Sequence, residues 1–326
     1  MGTVADPPGG CGPAWGSPAL GPLPARAVIA TRERALIRAM PWVFVLIWST
    51  GFVVARLGMP HAPPLTFLSM RYGLSLACFV AWIALARAEW PTDRRQWGHL
   101  AVVGTLIHAG YLGGVWAAVK AGIGAGTVAL LVGLQPVLTA LWTNWTSGGS
   151  RHSKARVSGL QWLGLALGLA GLTLVVWRKL GVGEVTHWNL ALAVFALLCI
   201  TTGTLYQKRF VAACDVRTAS AVQLFAALVV SVPLALLETE AVVWSPQMLG
   251  AMAWSVLALT LGGSSLLYLL IQRGAATQVT SLMYLVPPCT AALAWLLFDE
   301  PFTWSMGAGM LLTVSGVALV VRSPAR

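Results

Sequence analysis

Residues Thr127–Trp142, TVALLVGLQPVLTALW, have a second copy at Gln278–Leu293, QVTSLMYLVPPCTAAL. Pro287 answers Pro136, Thr290 answers Thr139, and Leu282 and Leu285 answer Leu131 and Leu134, every pair 151 positions apart. A proline inside an uncharged, apolar run removes a backbone donor and would break a helix in water. In lipid it is tolerated where neighbouring helices or a polar cavity satisfy the freed groups. Interrupted helices at matching places in two halves of a membrane protein point to a solute site at mid-depth.

Composition sets the solvent. With 326 residues, 57% hydrophobic, 10% charged and a mean hydropathy of +0.77, the chain has too little polar surface to cover a water-soluble globule. Its net charge of +11 could suggest nucleic acid, but the basic residues form short clusters between apolar runs, with no basic-aromatic face. No nucleic-acid partner is therefore expected. Cys11, Cys78, Cys199, Cys214 and Cys289 show neither CxxC spacing nor pairing with histidines, so neither a metal nor a disulfide framework nor a cofactor is expected.

Residues 1–39, rich in Gly, Pro and Ala, read as a disordered cytoplasmic tail, with Met40 an alternative start. At roughly 20 apolar residues per crossing, the remainder divides into ten spans. They run over 41–58, 64–87, 98–119, 122–143, 158–177, 188–207, 218–237, 248–271, 276–298 and 303–321. Lys and Arg orient them. With both termini in the cytoplasm the inner segments hold sixteen basic residues, and the outer ones hold three, Lys120, Arg178 and Lys179.

The repeat extends beyond the prolines. At an offset of 152, Gly51 matches Gly203, Thr50 matches Thr202, Arg56 matches Lys208, Thr66 matches Thr218, Arg71 meets Gln223, Gly110 matches Gly262 and Trp116 meets Tyr268. Near the ends Gly164 matches Gly309 and Gly171 matches Gly316, now 145 apart. The expected fold is an all-α polytopic membrane protein: two five-helix repeats, 40–178 and 186–322. Because five is odd, the second repeat enters the membrane inverted relative to the first.

The opening WSTGFVVARLGMPHAPPLTFLSMRYGLSLACF resembles the first two helices of the EamA family of the drug/metabolite transporter superfamily. The closing YLVPPCTAALAWLLFDEPFTWSMGAGMLLTVSGVALVV resembles its last two, with Pro287, Glu300, Gly309 and Gly316 in the expected places. The resemblance implies a central cavity that exports or exchanges amino acids and related metabolites by alternating access. One departure lies after the fourth span, where the family's acid gives way to the polar, basic stretch Asn144–Arg156.

Several residues are candidates for that cavity. Arg71, two turns into the second span, is costly in lipid unless it meets a cavity or a partner; it reads either as an anchor for a substrate carboxylate or as a structural bond to a carbonyl. Arg56, nearer a helix end, reads as snorkelling. His108, at the middle of the third span, could exchange a proton, or could be a neutral histidine bonded to a neighbouring helix. Gln135 can bond the broken backbone or a ligand. Trp48, Tyr111, Trp116, Tyr206, Trp254, Tyr268 and Tyr284 could hold an apolar body or a cation, against packing or interfacial anchoring. Trp116 and Tyr268 gain weight from their symmetric places, and Pro136 and Pro287 are the helix breaks.

No span carries Asp or Glu in its interior. That disfavours coupling through a buried carboxylate and suits a zwitterion or an anion, whose carboxylate could meet Arg71 or a helix N-terminus. The expected partners are a small-molecule substrate and the lipid bilayer, in the cytoplasmic membrane; monomer and homodimer both stay open. The competing class is a polytopic membrane enzyme acting on lipid-linked substrates, with His108 and Arg71 as catalytic groups. Such enzymes usually need a metal or a carboxylate cluster that this sequence lacks.

Overall fold

The apolar runs become helices, and the polar residues between them become caps. The computed structural model describes residues 24–146, 159–181, 183–272, 283–300 and 303–322, divided into the units Met1–Ala39 and Met40–Arg326. No strand occurs among the described residues. The first half holds α1 Pro24–Gly58, α2 Pro64–Ala86, α3 Arg94–Gly104, a π-helical segment π1 Thr105–Leu112, α4 Gly113–Lys120, α5 Ala125–Val132, α6 Gln135–Thr146 and α7 Gly159–Gly181. The second holds α8 His187–Phe210, α9 Val216–Ala235, α10 Pro246–Trp254, π2 Ser255–Gly262, α11 Gly263–Gln272, a 3₁₀ turn Met283–Leu285, α12 Val286–Phe298 and α13 Trp304–Arg322.

Among the described residues, six helical stretches are long and apolar enough to cross a membrane, including Pro64–Ala86, Arg94–Lys120 and Pro246–Leu266, and four shorter apolar helices accompany them. Their ends follow local chemistry. Pro64 and Pro246 start helices at the position where a missing N–H costs nothing. Thr186 and Asn189 form a reciprocal capping box on α8, and Asp93 and Asp215 accept from backbone N–H groups at the starts of α3 and α9.

α1 already begins at Pro24, inside the stretch read as disordered. Between Pro24 and Pro41 the sequence has neither Gly nor Pro and is rich in Ala, Arg, Leu and Ile, which carry the helix once started. Residues 1–23 lie outside the described residues, as does the basic insertion from residue 147 onward.

The two prolines stand just inside helix starts. The fourth expected span is two helices, α5 and α6, separated at Gly133–Leu134, and Pro136 stands in the first turn of α6. Pro287 stands in the first turn of α12, after the 3₁₀ turn. Each proline thus opens a new helix, where its fixed φ is already suitable.

The third and eighth spans also depart from expectation. Each was read as one α-helix, and each contains an eight-residue π-helical segment, at 105–112 and 255–262. In π2, Thr260 Oγ1 donates to the Ser255 carbonyl, five residues back, at 2.9 Å. Wide turns of this kind recur at functional sites because they re-aim side chains and loosen the i→i−4 ladder.

Helices at matching repeat positions lie against each other. Glu238, beyond the end of α9, accepts at the start of α2 from Leu65 N (2.9 Å), Thr66 N (2.7 Å) and Thr66 Oγ1 (2.8 Å). At the other end, Thr218 Oγ1 near the start of α9 donates to the Glu89 carbonyl, beyond the end of α2, at 3.3 Å. α2 and α9 are therefore antiparallel neighbours. α7 and α13 are likewise antiparallel: Gly171 abuts Gly309, and Gly316 abuts Gly164 and Gly168. Lipid gives helix pairs little hydrophobic drive, so contact relies on close backbone approach, which these glycines permit. The outer faces carry Leu85, Trp177, Trp188, Leu236 and Leu311, all exposed as a lipid-facing surface requires.

Candidate functional site

Two adjoining cavities lie inside the helical bundle and share Trp48, Phe52 and Tyr111 as a common wall. The first, roughly 650 Å³ with its open mouth, is bounded by Gln135, Pro136, Pro287, Val286, Ile200 and Thr313. The second, roughly 700 Å³ on the same measure, is bounded by Arg71, His108, Trp116, Thr260, Ser264 and Leu259. Both take walls from both halves of the chain. Their linings are mainly apolar with a few convergent polar groups, the usual make-up of a small-molecule site.

α2 supplies the polar corner of the second cavity. Arg71, only 7% exposed, donates from Nε and Nη2 to Thr260 Oγ1 at 3.2 and 3.1 Å. Its neighbour Tyr72 donates from its hydroxyl to the His108 carbonyl at 2.6 Å, and the Tyr72 ring meets the His108 imidazole edge-on at 6.0 Å between centroids. Consecutive residues of one helix thus hold both π-helical segments. Across the bundle, α9 approaches the end of α3 closely, for a β-carbon at Gly104 would run into the Gln223 carbonyl.

These contacts are related by the repeat. Positions 71 and 223 are 152 apart, and so are 108 and 260. The pair Arg71–Thr260 therefore maps onto positions 223 and 108 with the halves exchanged, where Gln and His stand. The glycine contacts behave in the same way, for Gly164–Gly316 and Gly309–Gly171 interconvert under the 145 offset.

The sequence candidates divide by environment. Trp48 and Tyr111 line both cavities; Arg71 and His108 line the second, and Gln135, Pro136 and Pro287 the first. Gln135 donates from Nε2 to Thr204 Oγ1 on α8 at 3.0 Å, so its amide already joins the two halves. Trp116 touches the second cavity but is 1% exposed and stacked on Phe67 at 4.5 Å, which makes it chiefly a packing residue. Tyr206 bonds His99 Nδ1 at 2.9 Å, and Trp254 donates to Thr50 Oγ1 at 2.8 Å, both away from the cavities. The side chains of Tyr268 and Tyr284 lie outside the described residues.

Sequence reasoning missed Thr260, whose only signal was the shared offset from His108. It also gave no sign of the partner of Glu300, which stands just before α13. Glu300 accepts from Ala125 N of α5 at 3.2 Å, while Thr303 caps α13. Glu184 accepts from the adjacent Gly124 N at 3.0 Å and from Lys179 Nζ at 2.6 Å. Arg56, expected to snorkel, stands 3.8 Å from Glu300. Two carboxylates from distant loops thus hold the start of α5, where the helix dipole favours negative charge.

The same end of the bundle carries further cross-links. Lys120 reaches Glu240 at 2.5 Å and the Met59 carbonyl at 3.1 Å, and Val243 N donates to the His61 carbonyl at 2.7 Å. No cluster of three or more metal-ligating side chains occurs among the described residues.

Comparison with known proteins places this geometry in context. A model of the EamA-like transporter family matches residues 40–177 and again 187–322. The chain is 25% identical over 280 residues to the uncharacterised transporter YvbV of Bacillus subtilis, covering 85% of this chain and 88% of that one. It is 23% identical over 288 residues to a "probable amino-acid metabolite efflux pump" of Escherichia coli, covering 85% and 92%. It is 25% identical over 265 residues to the inner membrane transporter YedA of the same species, covering 81% and 79%. One solved crystal structure shares the fold, with a TM-score of 0.58 at 18% identity, covering 87% of this chain and 96% of that one.

Proposed function

The chain belongs to the EamA-like transporter family, and from that premise we propose that it is a cytoplasmic-membrane carrier that exports amino acids or related small metabolites. Its ten spans form two inverted five-helix repeats with both termini in the cytoplasm, and transport proceeds by alternating access at the cavities between them. No chemical bond is made. The observation that carries this reading is the exchange symmetry of the glycine contacts, Gly164 with Gly316 and Gly309 with Gly171, which two repeats related by an in-plane two-fold axis would generate. The antiparallel packing of α2 on α9 and of α7 on α13 supports the same relation.

In this reading the end held by Glu184, Glu238, Glu240 and Glu300 is the outer end, and its cross-links close the cavities on that side. The basic inner segments fit a cytoplasmic location for the other end. A relative that bears the name of an efflux pump supports export as the direction.

Counterflow of labelled amino acids and metabolites in proteoliposomes of the purified protein tests the function. A carrier exchanges at least one solute across the sealed bilayer without altering it. Failure of a broad panel, accompanied by chemical change of the lipid, would overturn the proposal in favour of an enzyme.

A further inference from the structure

We infer that the solute held at Arg71 is a monoanion, a carboxylate on an apolar or aromatic body without an ammonium group, rather than a zwitterionic amino acid. The inference rests on the carrier reading and narrows its substrate class.

The argument begins with a charge that has no counter-charge. The Arg71 guanidinium is buried, and its hydrogen bonds among the described residues go to a single neutral oxygen, Thr260 Oγ1. The chain has ten acids, and all of them can be placed by sequence. Asp6 and Glu33 precede residue 40. Glu89, Asp93, Glu184, Asp215, Glu238, Glu240, Asp299 and Glu300 stand at helix ends or in loops, and none of them lines either cavity. A lone cation in such a setting is expensive unless something supplies the missing charge. A carboxylate does so in the forked geometry that a guanidinium favours.

An ammonium group finds no such partner there. The His108 carbonyl is occupied by the Tyr72 hydroxyl, and Thr260 Oγ1 accepts from Arg71 while donating to Ser255. Gln135 is engaged with Thr204. What is left for a cation is neutral, the His108 imidazole, the Ser264 and Tyr111 hydroxyls and the rings of Trp48, Phe52 and Tyr111, with no carboxylate among them. A cation over a ring gains about 0.5–2 kcal/mol, whereas desolvating an ion costs several kcal/mol (about 3–5 when its partner is missing). Desolvation wins, so the second charge of a zwitterion counts against binding. Replacing the ammonium by an amide or a carbonyl removes that cost, and one guanidinium plus one carboxylate leaves the cavity electrically neutral.

Three solutes with the same phenyl body isolate the effect: N-acetylphenylalanine (anion), phenylalanine (zwitterion) and phenylalaninamide (cation). In counterflow at neutral pH with the full chain in proteoliposomes, N-acetylphenylalanine should exchange about ten-fold faster than phenylalanine, a difference of about 1.4 kcal/mol, and phenylalaninamide should stay at background. Arg71→Gln should lose most N-acetylphenylalanine exchange. Arg71→Lys, which keeps the charge, should retain the preference order at a lower rate and guards against mistaking misfolding for lost binding. Phenylalanine exchanging as fast as its acetylated form, or any exchange of the amide, would overturn the inference while leaving the carrier reading intact. Silence of all three solutes beside exchange of some other amino acid would also overturn it. Only silence across the whole metabolite panel would remove the carrier reading as well.

Discussion

Arg71 on α2 donates twice to Thr260 Oγ1 in π2, at 3.2 and 3.1 Å, joining residues 189 positions apart. Thr260→Val keeps the side chain's shape and removes the acceptor. A buried bond to a charged group contributes about 1.5–3 kcal/mol, so the variant should unfold several degrees below the parent in detergent. A saturating carboxylate ligand should restore much of the loss by binding the freed guanidinium. Thermal unfolding with and without N-acetylphenylalanine checks both parts.

Gly171 and Gly73 make a matched pair of probes. A β-carbon at Gly171 would run into the Gly309 carbonyl and stand 2.6 Å from Thr313 Oγ1, whereas one at Gly73 meets nothing within 4 Å. Alanine is preferred to glycine in a helix interior by roughly 0.5–1 kcal/mol. Gly73→Ala should therefore be neutral or stabilising, and Gly171→Ala should lower stability by about 1–3 kcal/mol through overpacking. Equal melting temperatures for the two variants would count against the close α7–α13 contact.

Glu300 and Glu184 hold the start of α5 from separate loops. Glu300→Gln keeps the shape and removes the charge that the α5 N-terminus and Arg56 share, at a cost of about 0.3–1 kcal/mol. The proposed outer closure should then open more often. A cysteine placed at Val314 on the wall of the first cavity should react faster with a membrane-impermeant maleimide added outside. An unchanged rate in both the single and the Glu184→Gln/Glu300→Gln variants would remove these acids from the closure.

Asp215 stands just before the α9 span, and its bidentate hydrogen bonds with the Arg217 side chain hold its carboxyl below the usual carboxylate range, with the Arg217 backbone N–H adding to the effect. A depressed folded value means stability that is present above the unfolded aspartate value of about 3.9 and is lost as pH falls through the lower folded value. Asp215→Asn keeps a good helix cap without the titration. The parent's melting temperature should therefore fall more steeply than the variant's between about pH 5 and pH 3; parallel curves would refute the assignment.

Much of the architecture is legible in the residues because lipid enforces it. Uncharged runs of spanning length, basic loops and the doubled proline stretch follow from the cost of bare polar groups in hydrocarbon. The two π-helical segments leave no such mark: TLIHAGYL and SVLALTLG read as ordinary helix, because one extra residue per turn needs no special side chain. The match between Arg71 and Gln223 is visible at an offset of 152, yet His108 and Thr260 share that offset without chemical likeness, and only the structure brings both to one cavity with Arg71. The partner of Glu300 is not legible because Ala125 is 175 positions away and no local spacing links the two.

The central claim is that one cavity faces each side of the membrane in turn. In a chain whose five cysteines, Cys11, Cys78, Cys199, Cys214 and Cys289, are replaced, a single cysteine at Val314 should be labelled by an impermeant maleimide in both right-side-out and inverted vesicles. A transported solute should slow labelling in both. Labelling from one side only, under every solute condition, would contradict alternating access.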